Sequence, residues 1–181
     1  MTKVEITIQN MVASVDLKCT IPLERVAAGC EDAEFNPEQF PGLVLRINEP
    51  KTANLLFGSG KMVCTGGKSL EDVEKAVNNV KKLLEEYGVE YHGPPEITVQ
   101  NIVSSVETDL ELNLDRLAYK LEGVEYEPEQ FPGMVFRILK PKTAILMFST
   151  GKFVVTGAKT PEEIEDAFNQ LLAKLREIGE I

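Results

Sequence analysis

Three short runs in the first half of the chain, Leu43 to Ile47, Ala53 to Phe57 and Lys61 to Thr65, alternate their side chains as a pleated strand requires. Val44, Arg46, Leu55, Phe57, Val63 and Thr65 fall on one side, and Leu43, Leu45, Ile47, Leu56, Met62 and Cys64 on the other. Asn48-Glu49-Pro50 and Gly58-Ser59-Gly60 separate the runs and read as antiparallel turns. Ahead of them, Ile6 to Leu17 predicts a long strand, and Glu34 to Gly42 a strand end followed by an exposed loop. Thr20-Ile21-Pro22 predicts the start of a short helix, with a capping hydroxyl and a proline in the first turn. Behind them, Ser69 with Asp72 opens a long helix whose apolar stripe is Val73, Ala76, Val77, Val80, Leu83 and Leu84.

The whole pattern then recurs. Ile6 to Lys68 returns as Ile97 to Lys159 at a constant offset of 91 residues, with 33 of 63 positions identical and no gap. Thr160-Pro161-Glu162-Glu163 caps the second long helix, whose stripe is Ile164, Ala167, Phe168, Leu171, Leu172 and Leu175. The chain is therefore divided into a first repeat, residues 1–90, a linker at 91–95 marked by Gly93-Pro94-Pro95, and a second repeat, residues 96–181. Each repeat amounts to five strands and two helices, which predicts an α+β protein with a ten-stranded antiparallel sheet and four helices. Both sides of the strands are mostly apolar, yet four helices with one apolar stripe each cover only one side. The other is an apolar surface on the order of several hundred Å², which on a soluble monomer marks a binding site.

Composition fits an intracellular, soluble chain. The first strand starts almost at the initiator methionine, leaving no room for a signal peptide, and no apolar run approaches a membrane span. Cys19, Cys30 and Cys64 form no C-x-x-C pair and become Leu110, Leu121 and Val155 in the second repeat, so they read as small apolar side chains, not metal ligands. His92, the single histidine, falls in the linker. The net charge of −10 looks unfavourable for a nucleic-acid partner, but it is unevenly spread. Phe40 to Lys68 holds four basic residues and one acidic, and Phe131 to Lys159 five basic and none acidic, while the other 123 residues carry −18. A positive rim around an apolar floor suits a polyanion with an apolar interior.

Several residues recur without a packing reason. Phe40 and Phe131 sit in the identical hexapeptide Pro-Glu-Gln-Phe-Pro-Gly on an exposed loop, and Phe57 and Phe148 end the next strands. Two symmetric pairs of phenylalanines fit as wedges between base steps. A strand phenylalanine by itself is more often core, and the pairing with the loop phenylalanines shifts the balance. Asn10 and Asn101 read by themselves as turn or edge residues, while as unpaired amides on an apolar face, together with Thr65 and Thr156, they fit as hydrogen-bonding partners of minor-groove acceptors.

On these residues the chain resembles the core domain of the TATA-box-binding protein family, in its archaeal form, over essentially its whole length. The paired Gln-Asn-x-Val strands carry the resemblance, with the Pro-Glu-Gln-Phe-Pro-Gly loops, Arg46-Ile47 and Arg137-Ile138, Pro50-Lys51-Thr52 and Pro141-Lys142-Thr143. Phe57-Gly58-Ser59-Gly60-Lys61 and Phe148-Ser149-Thr150-Gly151-Lys152, and Val63-Cys64-Thr65-Gly66 and Val154-Val155-Thr156-Gly157, complete it. It implies a pseudo-two-fold saddle, a curved antiparallel sheet with its helices on the convex face and DNA against the concave one. Phe40 with Phe57, and Phe131 with Phe148, would match the intercalating pairs. Asn10, Asn101, Thr65 and Thr156 would match the central hydrogen-bonding set. Val12, Val103, Val44, Val135, Leu55, Leu146, Val63 and Val154 would touch the opened minor groove, where A·T pairs fit because they lack the guanine amino group. Arg46, Arg137, Lys61, Lys152, Ser59 and Thr150 would hold phosphates. Glu127, Glu129 and Gln130 match the loop on which the family docks its B-class general initiation factor.

The resemblance thus implies a non-enzymatic transcription initiation factor for A·T-rich promoter DNA, without cofactor or metal. It would work as a monomer in the cytoplasm at the nucleoid, with RNA polymerase as an indirect partner. Two departures from eukaryotic members stand out. Gln39 precedes the first wedge where they often carry a basic residue, and the helix after Ser69 is acidic, with Glu71, Asp72, Glu74, Glu85 and Glu86 against Lys75, Lys81 and Lys82.

Two other readings compete for the same residues. Gly66-Gly67-Lys68-Ser69 lies between a strand and a helix like the end of a phosphate-binding loop, but the first glycine of that template falls on Met62 and the second repeat reads Gly157-Ala158-Lys159-Thr160. A protein- or lipid-binding module would use the bare sheet face but leaves the basic rim unexplained.

Overall fold

The computed structural model describes residues 2–181. Its elements run β1 (Val4–Asp16), α1 (Leu23–Gly29), β2 (Ala33–Phe35), β3 (Leu43–Asn48), β4 (Lys51–Leu56), β5 (Lys61–Gly67), α2 (Leu70–Glu85), β6 (Glu96–Thr108), α3 (Leu114–Lys120), β7 (Met134–Ile138), β8 (Thr143–Met147), β9 (Lys152–Ala158) and α4 (Pro161–Glu177). The strands form one antiparallel sheet in the order β2-β3-β4-β5-β1-β6-β9-β8-β7.

Among the described residues the sheet has nine strands where the periodicity predicts ten. In the first repeat β2 pairs three residues with β3, Ala33 with Leu45, Glu34 with Val44 and Phe35 with Leu43. Its counterpart in the second repeat is the single bridge Glu125–Val135, closed by two backbone hydrogen bonds of 3.0 and 2.9 Å. The residue before that stretch is Gly123, with φ of +74°, where the first repeat has Asp32. A left-handed glycine turns the chain before a ladder can lengthen.

Contacts divide the chain into two compact units, Asn10–Gln100 and the residues up to Gln9 together with Asn101–Ile181. The long strands β1 and β6 each contribute residues to both.

In the unit Asn10–Gln100, the strand register sets Val44 opposite Leu55, Leu55 opposite Val63 and Val63 opposite Ser14. The alternate row, Leu43, Leu45, Leu56, Met62, Cys64, Ala13 and Val15, is buried, and α2 packs on β5 to cover it. Ser69 caps α2 by accepting from the backbone N–H of Asp72 at 3.1 Å, and Asp72 returns the bond by accepting from the N–H of Lys68 at 3.0 Å. The shorter helix differs from expectation. Pro22 occupies the cap of α1 with no side-chain hydrogen bond, and Thr20 lies too far upstream to accept from the first helical amides. The helix begins instead at the Val26 N–H to Pro22 carbonyl bond, on a chain anchored by Ile21 donating to the Gly58 carbonyl.

One buried polar group in this core is incompletely satisfied. Asn54 is fully buried; its Nδ2 donates to Thr52 Oγ1 at 3.0 Å and to the Leu45 carbonyl at 3.4 Å, but its Oδ1 has no partner. The second repeat places Ile145 there, also fully buried. An orphaned buried carbonyl costs about 1–3 kcal/mol, whereas an apolar replacement leaves none. Asn54→Ile is expected to raise unfolding free energy by about 1 kcal/mol, read as a higher urea midpoint at unchanged slope; a lower midpoint would contradict this account.

In the other unit β9 sets Val154 opposite Leu146 and Ser105, and Thr156 opposite Ala144 and Val103. Beneath them Ile145, Met147, Phe153 and Val155 are buried, and α4 packs on β9 with all six stripe residues inside. Thr160 caps α4 by accepting from the N–H of Glu163 at 3.2 Å. Asn113 supplies the side-chain cap for α3 that α1 lacks, accepting from the N–H of Arg116 at 3.0 Å.

The chain end is fastened to α3 by Glu180, whose side chain is 3% exposed and pairs with Arg116 at 2.7 Å and Lys120 at 2.8 Å. Hydrogen bonds from Arg116 and then Lys120 hold its carboxyl down at about 2, from an ordinary 4.5. A carboxyl depressed in the folded state binds fewer protons there than when unfolded, so its contribution is complete above pH ~4.5 and lost as pH falls toward ~2. Hydrogen-exchange protection of the last residues is expected to weaken between pH 6 and pH 3, and Glu180→Gln to remove most of that pH dependence.

Candidate nucleic-acid interface

On the side of each unit turned away from α2 or α4, the alternate residues are only half-buried. Asn10, Val12, Val44, Leu55, Val63 and Thr65 lie there in one unit, and Asn101, Val103, Val135, Leu146, Val154 and Thr156 in the other. Periodicity of two therefore delivers every floor residue to the open face of its unit. The floor also carries polar pairs that the pattern does not announce. Gln9 Nε2 donates to Ser105 Oγ, and Gln100 Nε2 to Ser14 Oγ, each at 2.9 Å. Their equal spacing in the two repeats was the available signal.

The phenylalanines meet in two pairs. Phe40 and Phe57 contact edge to face with ring centroids 5.9 Å apart and planes at 69°; Phe131 and Phe148 do so at 5.8 Å and 70°. Phe40 is 41% exposed and Phe131 43%, while Phe57 and Phe148 are half-buried just beyond the ends of β4 and β8. Each loop phenylalanine is set by a tight turn: the N–H groups of Gln39 and Phe40 both donate to the Asn36 carbonyl at 3.0 Å, and those of Gln130 and Phe131 to Glu127. Gly42 and Gly133, unremarked in the sequence, make room for the rings. A Cβ on Gly42 would fall 2.6 Å from Phe40 and 3.0 Å from Phe57, and one on Gly133 2.7 Å from Phe131 and 3.0 Å from Phe148.

The asparagines are oriented, not merely present. Asn10 Oδ1 accepts from the Gly66 N–H at 2.7 Å and Asn101 Oδ1 from the Gly157 N–H at 2.6 Å. Those glycines take φ of +103° and +102°, which aims their amides at the side chains. With the carbonyl end fixed, Nδ2 lies at 3.3 Å from Thr65 Oγ1 or Thr156 Oγ1 and keeps a second N–H free as a donor.

Cations stand at the edges. Arg46, Arg137, Lys61 and Lys152 are exposed, as are Ser59 and Thr150 in the turns that close the hairpins. Three of the cations have carboxylate partners that the motif reading missed: Glu34 for Arg46, Glu125 for Arg137 and Asp16 for Lys61. Asp16 Oδ1 also accepts from the Lys18 N–H at 3.0 Å, and that bond, with the Lys61 ammonium, holds its carboxyl below the usual range. The strand pairings bring them together, Asp16 opposite Lys61 and Glu34 beside Arg46 across β2 and β3, and nothing short of the register could have matched them. Glu127, Glu129 and Gln130 are exposed on the loop before Phe131.

Fold and face define a duplicated α+β protein whose sheet is helix-covered on one side and open on the other, with the open side carrying paired aromatic rings, oriented amides and edge cations. The family model for the transcription factor TFIID, or TATA-binding protein, matches residues 5–87 and 96–178. The TATA-box-binding protein of Thermococcus celer is 46% identical over 183 residues, covering 99% of this chain and 97% of that protein. That of Archaeoglobus fulgidus is 47% identical over 177 residues, with 97% of each covered. The solved structure of Methanococcus jannaschii TBP superposes with a TM-score of 0.90 at 46% identity, over 96% of this chain and 99% of that one. The chain belongs to the TATA-binding protein family, whose members are DNA-binding transcription factors and not enzymes.

Proposed function

We propose that this protein is a general transcription initiation factor of archaeal type that binds A·T-rich promoter DNA through the minor groove and kinks it with its phenylalanine pairs. The observation that carries the reading is the occurrence, twice, of one ring pair at nearly identical geometry on an open sheet face, each over its own glycine. A partly exposed ring backed by another ring and by backbone is a rigid wedge, and insertion of such wedges into base steps is the established mode of the family. The half-buried valines and leucines of each unit would lie on the widened groove. Asn10, Asn101, Thr65 and Thr156 would donate to the adenine N3 and thymine O2 acceptors, and a guanine amino group would obstruct that contact. Arg46, Arg137, Lys61, Lys152, Ser59 and Thr150 would take phosphates.

Residues 1–90 and 96–181 form the two repeats of this machine and 91–95 their linker. The exposed acids Glu127 and Glu129 with Gln130 would receive a B-class initiation factor, which brings RNA polymerase indirectly. The protein would act as a monomer at the nucleoid in the cytoplasm.

The test is end-to-end fluorescence transfer on a short labelled duplex. Transfer is expected to rise when the protein binds an A·T-rich element and to stay flat with a G·C-rich duplex of equal length. Binding without any change in transfer would end the wedge reading, and equal affinity for both duplexes would end the minor-groove one.

A further inference from the structure

Three of the four cations assigned to phosphate contact are already engaged in the free protein. Arg46 Nη1 donates to Glu34 Oε1 at 2.9 Å, Arg137 Nη1 to Glu125 Oε1 at 2.8 Å and Lys61 Nζ to Asp16 Oδ2 at 3.0 Å. Each pair lies within a single unit. Glu34 and Glu125 hold the same position of the repeat, each twelve residues before its arginine, so the arrangement is built twice. Asp16 is itself pinned by the Lys18 N–H, and its second oxygen faces Lys61 at 3.0 Å with the Lys18 ammonium further off at 3.7 Å. Lys152 is the exception: it stands opposite Glu107 in the β6–β9 register, but among the described residues it has no carboxylate within ion-pair distance.

We propose that Asp16, Glu34 and Glu125 are built-in rivals of the DNA phosphates, each holding its cation until a phosphate displaces it. The proposal rests on the DNA-binding reading above. The physics is an exchange: the cation trades one oxyanion for another, and the abandoned carboxylate is left facing a phosphate of like charge. A held cation therefore contributes less to net affinity than an unheld one at the same position of the repeat. Lys152 becomes the strongest of the edge contacts, and the rivals keep a chain with positive sheet segments from clinging to every polyanion by charge alone.

The experiment is a double-mutant cycle on affinity for an A·T-rich duplex at one fixed moderate salt concentration, using the full chain. Asp16→Asn is expected to tighten binding about two- to fivefold, the range set by an exposed ion pair. That gain should vanish in a Lys61→Ala background. Glu34→Gln with Arg46→Ala repeats the test at a pair whose members are both well exposed, where folding is not at stake. Lys152→Ala should weaken binding more than Lys61→Ala does. A gain from Asp16→Asn that persists without Lys61 would mean plain long-range repulsion, and weaker binding would mean that Asp16 aims Lys61 at the phosphate; either overturns the proposal. Failure of the DNA reading shows separately, as a wild-type protein that neither binds nor bends the duplex.

Discussion

Replacing Phe57 or Phe148 by alanine is expected to remove most of the bend from the bound duplex and to weaken binding to an A·T-rich element by roughly ten- to a hundredfold, since contact between a base and an aromatic ring is worth about 1–3 kcal/mol. The geometry explains why a single ring matters so much. Phe40 and Phe57 brace each other edge to face, and Gly42, which carries no side chain, leaves the room both rings occupy. Without Phe57 the loop ring loses its backing and no longer presents a fixed edge to the base step. The fold should survive, because neither Phe57 nor Phe148 belongs to the fully buried core. Lys61→Ala is the control, since it removes a phosphate contact and no wedge. Equal bending by the wild type and all three variants would reject the wedge assignment.

The largest effect on stability is expected at Phe153. Its ring is fully buried beneath the open face of β9 and packs edge to face on Phe168 of α4, with centroids 4.9 Å apart. Phe153→Ala should cost about 3–5 kcal/mol through lost burial, an unfilled cavity and the lost ring pair. Against a total of roughly 5–15 kcal/mol for a typical protein, that is a large share. The urea midpoint should fall accordingly, with the second unit's amides exchanging soonest. A loss below about 1 kcal/mol would mean that this aromatic stack is not the keystone of α4 on the sheet.

Much of this was legible beforehand because the sheet obeys a period of two. Val44, Leu55 and Val63 had to share a side once Leu43, Leu56 and Met62 took the other, and the helix stripes from Val73 and Ile164 showed that one side would be covered, while burial in the structure shows which. The caps at Ser69 and Thr160 were equally plain, since a hydroxyl three residues before an acid is a local signal. What stayed hidden depends on distance in space. The carboxylates of Asp16, Glu34 and Glu125 reach their cations across strands, and charge totals cannot say which acid faces which base. The amide orientation of Asn10 depends on the backbone angle of Gly66, more than fifty positions away. Thr20 misled because a hydroxyl followed by proline resembles a helix start, while the actual cap, Pro22, has no oxygen in its side chain to offer. The missing tenth strand turned on one glycine, Gly123, whose effect on an edge strand no alternation pattern registers.

Asn54, with its stranded carbonyl, has an apolar counterpart in Ile145, and Ser104, with its stranded hydroxyl, one in Ala13. After duplication each copy kept a polar misfit that the other had lost, so neither interior is the finished version of the other. Trading those misfits for the other copy's residue would let the molecule's resistance to heat be tuned from within, at positions its outward surface never displays.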